Sequence, residues 1–359
     1  MNPIVKKRIL FYVLICFLLA ASCKKEPDKP LNARTYRMGF QSSGPRFEFD
    51  AIIQSLHVWE QRADAAIVST EVPWDSLYAG TSPKNYVINN FKGLVDYFRS
   101  KNFKLWVYID PVNGLDRASD ALALVARKKS IAQPDVQQLY RRFAFAMDSI
   151  LQPEHMGLAL ETNLIRGASP DSIYKGVKKA ANDAYTEIRA FDKKVKLSVS
   201  IQVDYAWGKL GNGSISPIDQ DFVDFAFIEE LGMSSYPYFG YDKPQDIPLD
   251  YYAKLVAGKS LPVFVSEGGW SSATVDKYTG TLEKQRDYIT RQAQLLDQVN
   301  AIALFQLVFT DIDVAALPAG VPSNIGLFSS LGLVDIDLKP KPALDAWDAI
   351  FNRTYVGSN

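Results

Sequence analysis

The stretch "LPVFVSEGGW", residues 261–270, decides the fold. Leu261 to Val265 carry no charge and include two β-branched valines, which is the composition of a short strand buried on both faces. The run then ends on Ser266 and a carboxylate, Glu267, followed by Gly268, Gly269 and Trp270. A charged group that resists burial is tolerable at such a place only if the strand opens onto a pocket. "MGLALETN", residues 156–163, repeats the design: five residues from Met156 to Leu160 without charge, then Glu161.

Working outward, comparable runs fall at 36–41, 65–70, 104–110, 156–162, 196–203, 231–236, 261–267 and 301–308. Amphipathic segments separate them. In 134–151, Val136, Leu139, Tyr140, Phe143, Met147, Ile150 and Leu151 lie on one helical face, and Pro153 ends the run. The spans 80–100, 170–191, 282–299 and 342–351 read as helices in the same way. Strand and helix alternating eight times predict a single (β/α)8 TIM barrel over residues 35–359. The competing doubly wound sheet lacks its glycine-rich phosphate loop, since "QSSGPR", 41–46, has one glycine. The sixth unit, within "DFVDFAFIEELGMSSYPY", divides least clearly.

The first residues read as an address. Lys6, Lys7 and Arg8 precede an apolar run from Ile9 to Leu19, shorter than the roughly 18 residues of a spanning helix. Ala20, Ala21 and Ser22 lead into Cys23, so residues 1–22 are expected to be a signal peptide. "LLAASC" resembles the lipobox of bacterial lipoproteins, which implies lipid on Cys23 and a polar tether over 23–34. A lipid-anchored protein of the cell envelope, outside the cytoplasm and at the outer membrane, is the expectation. Cys16 would leave with the signal, so the mature chain could form no internal disulfide. Lysine plus arginine and aspartate plus glutamate each number 40. That balance offers no basic excess for nucleic acid and suits a neutral ligand.

Two strand-end glutamates facing one cleft fit glycoside hydrolysis, in which one carboxyl donates a proton to the leaving oxygen and the other attacks or directs water. Here a resemblance enters. Glutamates closing strands four and seven are similar to the signature of the clan A glycoside hydrolases, retaining (β/α)8 enzymes. "VFVSEGGWSS" resembles the nucleophile strand of β-1,3-glucanases and endo-β-1,4-galactanases, and "MSSYPYFG", 233–240, resembles the galactanases' strand six. "LGLVDIDLKPKPALDAW", 331–347, resembles the last active-site loop and closing helix. The resemblance implies Glu267 as nucleophile, Glu161 as acid/base and Tyr236 as a hydrogen-bond donor to Glu267. It also implies a β-linked polysaccharide or oligosaccharide of galactan, mannan or glucan type as substrate; internal cleavage by a monomer is our own expectation. The family's asparagine before the acid/base is replaced by Leu160, so either Asn163 substitutes from the loop or the substrate contact differs.

Glu71, Asp110, Asp204 and Asp311 are further strand-end acids able to bind sugar hydroxyls, Glu71 being the substitute for Glu161. Trp74, Trp207, Trp270 and Tyr238 are candidate stacking platforms for sugar rings. No metal or other cofactor is expected: His57 and His155 form no zinc-ligand spacing, and no Gly-x-Ser-x-Gly elbow occurs. A second reading is a glycan-binding lipoprotein whose barrel has lost its chemistry.

Overall fold

In the computed structural model, residues 33–211 and 213–357 are described. Eight parallel strands close into a barrel. They are β1 Arg37–Gln41, β2 Ala65–Glu71, β3 Lys104–Asp110, β4 His155–Gly157, β5 Lys196–Gln202, β6 Glu230–Ser235, β7 Val263–Gly268 and β8 Ala301–Gln306. Each pairs with the next, and β8 returns to β1 with Met38 opposite Leu304. All eight expected strands are present, and helices Pro134–Leu151 and Pro342–Phe351 have the expected limits. Gln152 ends the former with a left-handed backbone (φ 47°) just before Pro153. The expected helix over 80–100 is three consecutive pieces with a π turn, Ile88–Lys92, in the middle.

The tether's expected end falls slightly late. Arg34 is already part of the folded unit: it pairs with Asp64 at 2.8 Å and donates to Phe351 O at 3.1 Å. The signal peptide, Cys23 and residues 23–32 of the tether lie outside the described residues.

Alternation along the strands sorts side chains into two cores. Ala65 and Ile67, Trp106 and Tyr108, Ala303 and Phe305 fill the barrel with Leu160 and Phe264, while their sequence neighbours face the helices. Tyr108 spans the lumen and hydrogen-bonds Ser198 Oγ at 2.8 Å. A Cβ on Gly157 would run into its ring, which is why β4 carries glycine there. At the floor, Trp106 stacks on His155 with centroids 3.8 Å apart, and His155 Nδ1 meets both oxygens of Glu230 at 2.9 Å.

Two irregularities shape the mouth. β4 is much shorter than its apolar run, because its ladder passes to irregular contacts. Leu158 N donates to Ser198 O and Ser200 N to Ala159 O, both at 3.0 Å, and Glu161 N donates to Ser200 Oγ at 2.9 Å. On β7 the register with β6 shifts, so Val265 faces Met233 but Glu267, not Ser266, faces Ser234. Strict alternation from the inward Phe264 would point Glu267 at the helices. The extra residue, Ser266, turns it into the barrel instead.

Candidate active site

The strand ends carry the site. A pocket of about 250 Å³ opens at the C-terminal face, lined from β1 by Gln41, β2 by Glu71, β3 by Asp110, the segment after β4 by Leu160 and Glu161, and β7 by Glu267. Tyr236 after β6, Leu307 after β8, Arg117 and Leu115 from the loop after β3, and Phe328 complete the wall.

Glu161 is held hard. Its backbone is left-handed (φ 49°, ψ 45°), and it caps helix Thr162–Ala168. A non-glycine residue there costs roughly 1–2 kcal/mol, so the surroundings over-determine the position. They do so through both carboxylate oxygens. Ser234 Oγ donates to Oε1 at 2.6 Å, and Arg117 Nε donates to Oε2 at 2.7 Å. Arg117 Nη1 donates to Asp110 Oδ2 at 2.6 Å, so one buried guanidinium serves two carboxylates.

Glu267 is left without a dedicated cation. Burial first, and then the Glu161 charge, push its carboxyl up to about 8, against the pull of Arg117 and the nearby Ser234 hydroxyl. The Ser234 proton is given to Glu161, and the two carboxyls line one hollow. Glycine follows Glu267 because β7 passes close to β6: a Cβ on Gly268 would sit 2.5 Å from Ser235 O. Burial also raises Glu71, which accepts from Gly114 N at 3.1 Å, and raises Asp110 despite Arg117. These oxygens do not converge on a point as metal ligands do, and among the described residues no such cluster of three or more ligands occurs.

The structure thus gathers Glu161, Glu267, Tyr236, Glu71 and Asp110, and it disperses the other expected site residues. Asn163 is fully buried and spends its amide on Gln202, accepting from its N at 2.8 Å and donating to its O at 2.9 Å. It stitches β4 to β5 and cannot reach a sugar. Trp74 and Trp270 are 1% and 0% exposed. Trp270 packs on Tyr288 and Tyr238, with centroids at 5.5 and 6.0 Å. Tyr238 gives its hydroxyl to Leu327 O at 2.9 Å, and half-buried Trp207 gives Nε1 to Tyr251 O at 3.2 Å. These aromatics are wall and core, not platforms.

Among the described residues no hydrogen bond joins the Tyr236 hydroxyl to Glu267; the hydroxyl bonded within the pair is that of Ser234, on Glu161. Tyr236 stands in the field of both glutamates, and its own phenol is pushed well up by burial. Asp204 is structural: it accepts from Tyr236 N at 2.7 Å and from the Tyr251 hydroxyl at 2.8 Å, while burial raises it to about 6. Asp311 pairs with Lys341 at 2.5 Å. Two side chains at the centre were missed in the sequence. Ser234 lies within "MSSYPYFG" on the inward face that Gly232 shares. Arg117 sits seven residues past the end of β3, where only folding of the loop reveals it.

No family model matches the chain, and no curated protein does. Solved structures do. GH5_18 from Bifidobacterium longum subsp. longum, in complex with Manb1-4GlcNAc, superimposes with a TM-score of 0.62 at 13% identity, over 90% of this chain and 80% of that one. The exo-beta-1,4-mannosidase Op5Man5 from Opitutaceae bacterium strain TAV5 gives 0.65 at 14%, covering 92% of this chain; the chain spans 61% of the mannosidase's length. Native xylanase 10B from Thermotoga maritima gives 0.59 at 12%, over 88% and 95%. At such identities the likeness is one of fold.

Proposed function

We propose that the protein is a glycoside hydrolase acting on a β-linked glycan by double displacement, with Glu267 attacking the sugar carbon and Glu161 serving as acid and then as base. One juxtaposition carries the reading: the carboxyls of Glu161, just after β4, and Glu267, on β7, line one pocket at the barrel mouth. Hydrolysis with retention needs such a pair, roughly 5–5.5 Å apart, with one proton between them. Nothing further is required chemically, so the reaction proceeds without a cofactor. Buried acids with displaced titration, grouped in a cleft, are what such a site is built from. The fold shared with a mannosidase and a xylanase supports the reaction class.

The pocket's shape favours a chain end over internal cleavage. About 250 Å³ lies below the roughly 300–1,000 Å³ of drug-sized ligand sites, which suits one sugar ring. Asn324 Nδ2 donates to Leu115 O at 2.5 Å, joining the loops after β8 and β3 across the rim. The test is release of nitrophenol from aryl β-mannoside, β-glucoside, β-galactoside and β-xyloside, and of single sugars from matching oligosaccharides. Turnover that survives Glu267→Gln unchanged rules the assignment out.

A second reading, a glycan-binding protein without turnover, draws on the Arg117–Glu161 ion pair and the internal engagement of Asn163. Saturable oligosaccharide binding by calorimetry, with no product after prolonged incubation, would select it. For the N-terminus we propose a monomeric barrel tethered to an envelope membrane by lipid on Cys23. Mass spectrometry of the mature N-terminal peptide checks this: an acylated Cys23 is expected, and an unmodified cysteine refutes it.

A further inference from the structure

Double displacement divides one proton between two carboxyls: the acid must hold it, and the nucleophile must be bare. The resting pocket places its cation the other way round. Arg117 pairs with Glu161, while Glu267, the intended nucleophile, has no cation of its own. Something must reverse this when substrate enters.

Arg117 is placed to do so. Its side chain is 6% exposed and grips two partners through different nitrogens, Nη1 on Asp110 and Nε on Glu161. The Asp110 contact can serve as a pivot while the Glu161 contact opens. Glu267 already lies within the guanidinium's field. The other groups facing the pair are Glu71 from β2, Asp110 from β3 and Tyr236 after β6. Arg117 is the cation among them. Ser234 holds the inner oxygen of Glu161, so the oxygen that Arg117 would leave is the outer one.

Resting on the glycosidase reading, we propose that Arg117 is a positioning residue that decides which carboxyl of the Glu161–Glu267 pair carries the proton. Paired with Glu161 it leaves the proton on Glu267. A sugar hydroxyl that donates to Glu161 Oε2 takes the place of Arg117 Nε and releases the guanidinium toward Glu267. The Glu267 O–H bond then breaks and its proton passes within the pocket to Glu161 Oε2, from which the glycosidic oxygen can accept it. One proton has crossed between the two carboxyls, and the total charge is unchanged. Glu161 is now an acid and Glu267 a nucleophile.

The experiment is the pH profile of kcat/KM on a turned-over aryl β-glycoside, for wild type, Arg117→Lys and Arg117→Met, each checked for folding by circular dichroism. Wild type gives a bell, active while the pair holds one proton. Removing the cation disfavours both charged forms, so Arg117→Met shifts both limbs to higher pH by about one unit or more. Arg117→Lys restores the charge and brings the limbs back to within a few tenths of a unit. A purely structural arginine would lower the height of the bell without moving it, and limbs unmoved in an active Arg117→Met overturn the proposal. If that variant fails to fold, Asp110→Asn takes its place: with one competitor for the guanidinium gone, the limbs must move to lower pH, and unmoved limbs are equally fatal. Wild-type inactivity on every glycoside would instead remove the glycosidase reading, and this proposal with it.

Discussion

The barrel holds a glutamate at each end of its lumen, one buried and one half-buried, and the two are treated differently. At the floor, Glu230 is 2% exposed, and both its oxygens meet His155, whose ring is clamped flat against Trp106. At the mouth, Glu267 has a like-charged neighbour and an arginine committed elsewhere. Burial raises both acids, but only at the floor does a dedicated hydrogen-bond partner, the His155 ring, answer it. The mouth is made by a bulge at Ser266 and a left-handed Glu161. A barrel can afford a saturated acid as structure; an under-partnered acid held by irregular backbone is reserved for chemistry.

Mutation should split these ends. Glu267→Gln at the mouth is expected to lower kcat on an unactivated glycoside by about 10³-fold or more while the protein stays folded, as read by steady-state kinetics beside a melting curve. Loss of fold instead would erase the contrast. His155→Ala at the floor should do the reverse. It leaves buried Glu230 without its hydrogen-bond partner, a change worth roughly 1–3 kcal/mol, so the denaturation midpoint falls while KM for the folded fraction holds.

Asn163→Ala belongs with the floor although it lies two residues from Glu161. Losing its paired bonds to Gln202 should cost about 1–3 kcal/mol in urea denaturation with little change in KM. A large rise in KM would return Asn163 to the sugar. The smallest effect concerns pH. Glu267 titrates higher folded, near 8, than an ordinary glutamate near 4.5. The folded state therefore binds the extra proton, and stability falls as pH rises between those values. Glu267→Gln removes that loss, so its Tm should exceed that of wild type by a few degrees at pH 9 and by almost nothing below pH 4.5.

The same contrast explains what was legible in the sequence. Uncharged runs of strand length and helical stripes such as 134–151 announce the barrel, because burial on both faces leaves a compositional trace. Glu161 and Glu267 stood out by breaking those runs. What escaped depends on backbone irregularity or on long reach. Alternation from Phe264 places Glu267 outward, and nothing in "FVSEGG" reports the bulge. Arg117 is one charged loop residue among many until its loop folds. The tryptophans misled because ring stacking and core packing use the same side chain, and only neighbours such as Tyr288 behind Trp270 decide between them. Asn163 misled similarly, its amide being equally able to bond a sugar or the backbone of β5.

The central claim is that Glu161 and Glu267 share one sugar and that Glu267 attacks it. The most direct test is a 2-deoxy-2-fluoro β-glycoside of the sugar that is turned over, followed by peptide mass spectrometry. The account predicts a glycosyl ester on the peptide containing Glu267, formed as activity is lost. An adduct on Glu161 or any other residue, or continued turnover with no adduct, would contradict it.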